Sequence, residues 1–598
     1  MANESTTNVL RGGQYLIKES DPGDIFAPEM LNDEQRLIKS TVLDFISQNI
    51  RPRLAAIEEK EPGIAGMIME EAAAVGLLGT HMPEEYGGMN LDTNTNTLIS
   101  ETLGPAGSIT VSLAAHTGIG MLPILYFGTD KQKQDYLPRL ISGELKASYC
   151  LTEPGSGSDA LAAKTRADLS TDGKTYLLNG QKMWISNAGF ANFFIVFAKI
   201  SGEQFTAFIV EKGVAGLTLG EEEHKLGIHG SSTRQVFFEN TPVPIENVLG
   251  DIGKGHLIAF NVLNIGRFKL GAMVCGGSQS LIDHSIRYAK ERHQFDKPIA
   301  EFGAIQHKLA EQAIRTFAMQ SALYRTSDLL QDWKSAQMAE GRTFAEATLL
   351  SAEEYAIECS ILKVAGSEIL DFVVDETLQI HGGIGYSEEY PIARAYRDAR
   401  INRIFEGTNE INRMLMVDML LRRAMKGQVD IVGPAWAVQK ELAAMPGFET
   451  LTGEYAQEIK AIADFKKIVL MVAGGAAKLQ MDGQLNIKDE QEILMNIADM
   501  MIDTFLAESL CLRTRLLQGR DKPQSQDIYD AMLRVFLHDA TQRMQRNATD
   551  AIVSFAGGDL QKTFLMGVKR FLKYPPVNVR DERRKIAAAL IGANGWCF

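Results

Sequence analysis

At 598 residues the chain exceeds what one hydrophobic core usually serves, so roughly two to four domains are expected. An apolar share of 45% and a charged share of 23% are ordinary for a soluble globular protein. The formal net charge of -14 excludes a nucleic-acid-coating role, which needs a basic surface to displace counterions, while leaving room for an anionic ligand in a local basic pocket. In chain order, residues 1–30 mix Gly, Pro and charge and read as an arm. The opening MANESTTNVLRGG has neither the apolar core of a secretion signal nor an Arg-rich transit pattern, so a cytoplasmic protein of bacterial type is expected. Residues 31–147 read as a helical N-domain: Leu37, Val42 and Phe45 recur at helical spacing, and GPAGSITVSLAAHTGIGMLPILYFG reads as buried helix broken by glycines.

Residues 148–254 change character, with short β-branched and aromatic runs (TYLLNG, KMWIS, FFIVFAKI, TAFIVE, RQVFFE) separated by turn residues, and predict a compact barrel- or sandwich-like β-domain. The helical pattern returns over 255–427 as a bundle and continues over 428–598 as an extension, where Ile493, Ile497, Met501 and Phe505 form an i, i+4 stripe. The fold class is therefore α+β and mostly α. The longest near-continuous apolar stretch, Ile468 to Ala477, is shorter than the ~20 residues a bilayer span takes. No strand-GxGxxG-helix unit occurs, so a dinucleotide would not sit on a doubly wound parallel sheet. The five cysteines are widely spaced and without CxxC, which reads as reduced thiols, and the ten histidines form no HExxH or HxH cluster, so no metal site is expected.

Four segments carry candidate chemistry. In YCLTEPGSGSDA, Tyr149 to Ala160, the Pro and Gly residues force a turn that bares backbone N–H groups, and Ser156 and Ser158 add hydroxyls; the loop suits phosphate or flavin oxygens, or is an ordinary Gly/Ser loop. In NGQKMWISNAG, Asn179-Gly180 predicts a hairpin. Trp184 on the next strand would then cover a planar cofactor or sit in the core, with Ser186 near the cofactor's edge. Arg292, in RHQFDKPI after a long helix, reads as a pyrophosphate partner or a solvated helix-end arginine. In LQIHGGIGYSEEYPIARAYRDARINRIFEGTNEINR a glycine-rich break precedes Glu406, with Thr408 as a helix N-cap. The apolar Ile404 and Phe405 would raise the pKa of Glu406 and make it a stronger base, while the nearby helix N-terminus opposes that rise.

Taken together, LTEPGSGSD, KMWISN, QIHGGIGY and IFEGTNEI resemble the acyl-CoA dehydrogenases in content and order over roughly residues 30–425. KLGIHGSSTRQVFFENTPVPIENVLG, LNIGRFKLG and the helical extension after residue 427 are similar to the very-long-chain branch. The resemblance implies FAD, an acyl-CoA substrate, oxidation to the trans-2-enoyl-CoA in fatty acid β-oxidation, electron-transferring flavoprotein as acceptor, and a homodimer in which the extension replaces one interface of the usual tetramer. It makes Glu406 the base that takes the α-proton, with the thioester carbonyl between its backbone N–H and a ribityl hydroxyl, beside Gly407; the alternative base position in some relatives is here Gly266, which cannot act. It places Tyr149, Leu151, Thr152 and Ser158 on the flavin-side loop, with Ser158 also near the thioester, and Trp184 and Ser186 beside the isoalloxazine. Arg292, Phe295, Gln379 and Gly383 would reach FAD across a subunit interface, Thr408 and Glu410 would lie near its adenosine end, and Asn264 with Arg267 would bind CoA. Small residues Ala114, Ala115, Gly118 and Gly120 would deepen the acyl cavity or allow close helix packing. KTFLMGVKRFLKY would lie on a membrane surface or be an ordinary packed helix. An acyl-CoA oxidase passing electrons to O2, and a non-catalytic assembly flavoprotein, are the rival readings.

Overall fold

Helix α1 (Asp33–Phe45) starts at Asn32, whose side chain accepts from the Gln35 N–H at 2.8 Å while the Gln35 side chain accepts from the Asn32 N–H at 3.1 Å. This computed structural model describes residues 9–444 and 451–598. The buried face of α1 runs Gln35, Val42, Phe45; Leu37, expected there, falls between the buried positions and is 67% exposed. Helix α2 (Thr93–Leu103) is capped by Asp92, which accepts from the Thr95 N–H. The glycine-broken segment that follows is buried as expected, with helix Ser108–Ala114, a π-helical turn over Ala115–Gly120, and helix Leu122–Phe127.

Eight strands then form one sheet: β1 (Ala147–Cys150), β2 (Arg166–Leu169), β3 (Thr175–Ser186), β4 (Phe193–Ile200), β5 (Gln204–Glu211), β6 (Leu217–Glu222), β7 (Thr233–Pro244) and β8 (Val248–Leu249). The order is β6-β7-β3-β2-β4-β5-β8, and β1 pairs in parallel with the start of β4. Strand β4 is apolar from Phe193 to Ala198 because both faces are covered: Phe193, Ile195 and Phe197 meet the N-domain helices, and Phe194, Val196 and Ala198 fill a second core. Asn179-Gly180 is not a hairpin. Both lie inside β3, where the register against β7 slips between Leu178 and Gly180 and Gly180 takes a φ of 150°. A Cβ on Gly180 would stand 2.6 Å from the Thr165 hydroxyl, so this glycine marks a bulge with close backbone approach.

The bundle comprises α3 (Gly255–Glu291), α4 (Gly303–Ala339), α5 (Phe344–Glu354), α6 (Ala356–His381) and α7 (Asn409–Met425), and the extension packs on it through α8 (Gln491–Leu516). Ile493, Ile497, Met501 and Phe505 are all buried along α8, as the stripe predicts. Two stretches, Ser108–Phe127 and Gly255–Glu291, are long and apolar enough to cross a bilayer, which the sequence reading missed; 78% and 61% of their apolar windows are buried within the protein, as core helices are. The expected arm is not free over its described residues 9–30. The N–H groups of Gly12 and Gly13 donate to Glu354 and Glu358 at 3.0 and 2.7 Å, and Tyr15 is buried with its ring 4.9 Å from Phe505. The apolar face of KTFLMGVKRFLKY is also taken: Phe564, Val568 and Phe571 are buried in the shared core, so this is the packed helix of the two alternatives. All five cysteines are free thiols.

Candidate active site

Glu406 lies in the short link between a 3-10 turn, Arg400–Arg403, and α7. Thr408 caps α7 by accepting from the Ile411 N–H at 3.3 Å, so the chain must reverse just before it. Glu406 takes a φ of 59° and Gly407 one of 82°. A left-handed glutamate is a strained choice that its surroundings must hold in place. Two side chains do so. Asn412 donates to the carbonyls of Gly407 at 2.8 Å and Thr408 at 3.0 Å, and Arg267 Nε donates to the carbonyl of Glu406 at 3.1 Å. The reversal leaves the Glu406 N–H without an acceptor among the described residues. The side chain turns inward, and Oε2 is a buried oxygen with no hydrogen-bond partner among the described residues.

The carboxylate faces α3 at Gly266. A Cβ built there would stand 2.7 Å from Glu406 Oε2, so the residue that could have carried an alternative base instead makes room for this one. Asn264 and Arg267, expected to bind CoA, are buried and bonded to each other at 2.8 Å, and Arg267 acts on the Glu406 backbone. Lys363 on α6, unflagged by the sequence reading, is fully buried and donates to Asn409 Oδ1 at 2.6 Å. Its only sequence signal is a lone lysine inside the apolar run CSILKVAG. Burial pushes Glu406 up to about 7 against the pull of Arg267 and Lys363, and burial brings Lys363 down to about 7 against the pull of Glu406. Arg267 and Lys363 are cations that oppose the rise. A base must be ionised to act, so the rate of flavin reduction by substrate should climb as pH rises through about 7 and level off above it. Anaerobic stopped-flow across that range checks this, and a rate that falls with rising pH would count against Glu406.

Across from Glu406 stands β1. The Tyr149 hydroxyl is buried and unpaired among the described residues, and burial together with the charge of Glu406 holds it protonated, well above the usual tyrosine range. The loop after β1 is closed on itself. Glu153 and Ser156 exchange backbone hydrogen bonds, the Ser156 hydroxyl donates to the Asp159 carbonyl at 2.7 Å, and Ser158 is left exposed. Leu151 and Thr152 are fixed from β3: Lys182 Nζ donates to the Leu151 carbonyl at 3.1 Å and the Met183 N–H to the Thr152 carbonyl at 2.9 Å. Lys182 is fully buried and also pairs with Glu153 at 2.7 Å, and Glu153 accepts from the N–H groups of Lys164 and Thr165 as well. Because those two donors remain, Lys182→Met should cost about 1–3 kcal/mol, read as a lower urea midpoint with unchanged slope. Two residues along β3, Trp184 takes a φ of 60° and is 51% exposed, so it is not core. Ser186, half-buried, accepts from the Ser148 hydroxyl through its carbonyl, and its own hydroxyl has no partner among the described residues.

The remaining expected residues gather elsewhere. The ends of α3 and α6 are tied by Tyr288 stacked on His381 at 4.2 Å and by Ser285 donating to Thr377 at 2.9 Å. Arg292, Gln379 and Gly383 are exposed at this shared end, and a Cβ on Gly383 would meet nothing within 4 Å. Phe295 tips a two-stranded hairpin and is 87% exposed. Glu410 is exposed in the first turn of α7. Of the small residues before β1, Gly120 packs closely, its Cβ position 2.5 Å from Ala147, while Gly118 faces the Lys269 stem at 4.0 Å.

The site thus contains a buried carboxylate and a buried tyrosine hydroxyl, each without a partner among the described residues, and β3 carries a half-exposed tryptophan. The family models described as acyl-CoA dehydrogenase N-terminal, middle and C-terminal domains match residues 32–144, 148–241 and 253–421, and a further acyl-CoA dehydrogenase C-terminal domain matches 464–570. A probable acyl-CoA dehydrogenase of Bacillus subtilis (strain 168) is 43% identical over 596 residues, 99% of each chain. The crystal structure of an acyl-CoA dehydrogenase complexed with FAD from Bacillus anthracis superposes with a TM-score of 0.95 at 43% identity, covering 98% of this chain and 100% of that one. The human mitochondrial very long-chain specific acyl-CoA dehydrogenase is 39% identical over 404 residues, 65% of this chain and 58% of its own. The chain belongs to the acyl-CoA dehydrogenase family and is an FAD-dependent oxidoreductase. The extension beyond the bundle, matched by its own family model, is shared with these full-length relatives.

Proposed function

We propose that the protein dehydrogenates a fatty acyl-CoA thioester between its α and β carbons to the trans-2-enoyl-CoA, with Glu406 removing the α-proton. The observation that carries this reading is the unpaired Glu406 carboxylate, ionisable near neutrality and packed against a glycine. The α-hydrogen of a thioester is a weak acid, so its removal needs a base of raised pKa within hydrogen-bond reach and a donor for the oxygen that gathers charge. Glu406 supplies the first from its side chain and the second from its unengaged backbone N–H. FAD, when bound, supplies the acceptor for the β-hydrogen as hydride. Trp184 would cover that cofactor from β3, and Tyr149 would stay neutral against it.

Arg292, Phe295, Gln379 and Gly383 would then serve the cofactor of a second subunit, so a homodimer is part of the proposal. A long acyl chain is supported by the similarity to the human very long-chain enzyme. Electron-transferring flavoprotein is the proposed acceptor, in β-oxidation, in a cytoplasmic setting. The test is anaerobic: saturated acyl-CoAs of graded length are added to the yellow protein and flavin bleaching is followed. Bleaching, then reoxidation by electron-transferring flavoprotein faster than by O2, is expected. Bleaching by no acyl-CoA contradicts the activity, and steady peroxide formation without an added acceptor replaces it with an oxidase.

A further inference from the structure

Beside the site lies a cavity of about 100 Å³, room for several waters, bounded by α2, α3, α4 and α5. Its wall includes Ile265, the neighbour of the glycine that faces Glu406, and Lys269 one helical turn further along the same face. A simple alkyl chain asks for an apolar lining. Most of this lining is apolar, with Leu122, Ile265, Phe268 and Leu330 among it, but it also holds His81, Lys269 and Lys334. Neither ammonium group makes a hydrogen bond or ion pair among the described residues; the Lys334 ammonium lies 3.8 Å over the Phe344 ring, and the Lys269 stem runs along Gly118. His81 Nε2 is buried with no hydrogen-bond partner among the described residues. Among the described residues, the acid that acts on Lys334 is Asp92, exposed and already accepting from Thr95 as the cap of α2. Burial lowers both lysines only to about 8, so they remain cations at neutral pH, while burial beside Lys269 keeps His81 neutral. Both lysines are half-buried, and cations partly withdrawn from water without an acid partner gain from a ligand that completes them.

We propose that the inner end of this cavity binds a carboxylate carried at the far end of the acyl chain, so that the protein accepts ω-carboxyacyl thioesters, with Lys269 and Lys334 as the ion-pairing groups and His81 as a hydrogen-bonding partner. This rests on the reading of the site as an acyl-CoA dehydrogenase and adds its substrate class. Ile265 and Phe268 line the same cavity as the two lysines and lie on the helix that carries Gly266 opposite Glu406.

The test compares CoA monothioesters of saturated dicarboxylic acids with those of monocarboxylic acids of matched, graded length, by anaerobic flavin reduction in the FAD-loaded full chain, Lys269→Met and Lys334→Met. At some length the wild type should reduce its flavin with the ω-carboxy thioester at least as efficiently as with the methyl-terminated one. The ratio of the two kcat/KM values should fall by about tenfold or more in each variant, as loss of a buried charge partner does. A wild type that favours the methyl-terminated chain at every length overturns the proposal even if neither variant folds. So does a ratio that moves by less than tenfold in folded, yellow variants. Bleaching by methyl-terminated substrates alone sinks only this inference, whereas bleaching by neither class sinks the dehydrogenase reading with it.

Discussion

Glu406→Gln will bind FAD and fold like the wild type, yet reduce its flavin with acyl-CoA slower by on the order of 10⁴-fold. The substitution keeps the volume of the side chain and the backbone that Asn412 and Arg267 hold, and it removes only the ionisable oxygen. The amide leaves the N–H of residue 406 free to bind the thioester oxygen, so substrate affinity should change far less than rate. Absorbance of the bound flavin reports the first half of this prediction and anaerobic stopped-flow the second. Near-normal reduction in that variant would remove the assignment.

Gly266→Ala is expected to have the next largest effect, for a steric reason. The added methyl would stand 2.7 Å from Glu406 Oε2 and 3.1 Å from its carboxyl carbon, closer than real contacts allow, and what yields is the tip of a side chain rather than backbone. The fold should therefore survive, with thermal unfolding and flavin content near those of the wild type. The carboxylate must move by a large part of an ångström, and a displacement of that order costs about 10²-fold in rate. Stopped-flow flavin reduction measures the loss. A variant with unchanged rate would mean that Glu406 works from a different rotamer.

Much of this site was legible before the fold was. The IFEGTNEI run contains its own logic: a glycine after the glutamate permits the reversal, and Thr408 starts the helix that fixes it. Local signals with a stereochemical cause were read correctly, as was the stripe on α8. Signals that depend on partners distant in sequence were not. Asn179-Gly180 looks like a turn, but pairing with β7 on one side and β2 on the other keeps it inside a strand. The Gly, Pro and charge of the first thirty residues look like a loose arm, yet acids on α5 and α6, more than three hundred residues away, bind its backbone. Arg267 was placed by the resemblance as a CoA partner, and its Nε bond to the Glu406 carbonyl, across 139 residues, has no local signal. Lys363 could be seen only as an oddity in an apolar run, because its neighbours Glu406 and Asn409 meet it through tertiary packing.

The account turns on which group removes the α-proton, and proton exchange measures that without relying on the redox step. A thioester whose β position carries sulfur in place of a CH2 keeps acidic α-hydrogens and has no hydride to give. Incubated with the FAD-bound protein in deuterated water, it should take up deuterium at the α carbon, faster as pH rises through about 7, and Glu406→Gln should abolish the uptake. Exchange that persists undiminished in Glu406→Gln would contradict the account, because some other base would then be at work.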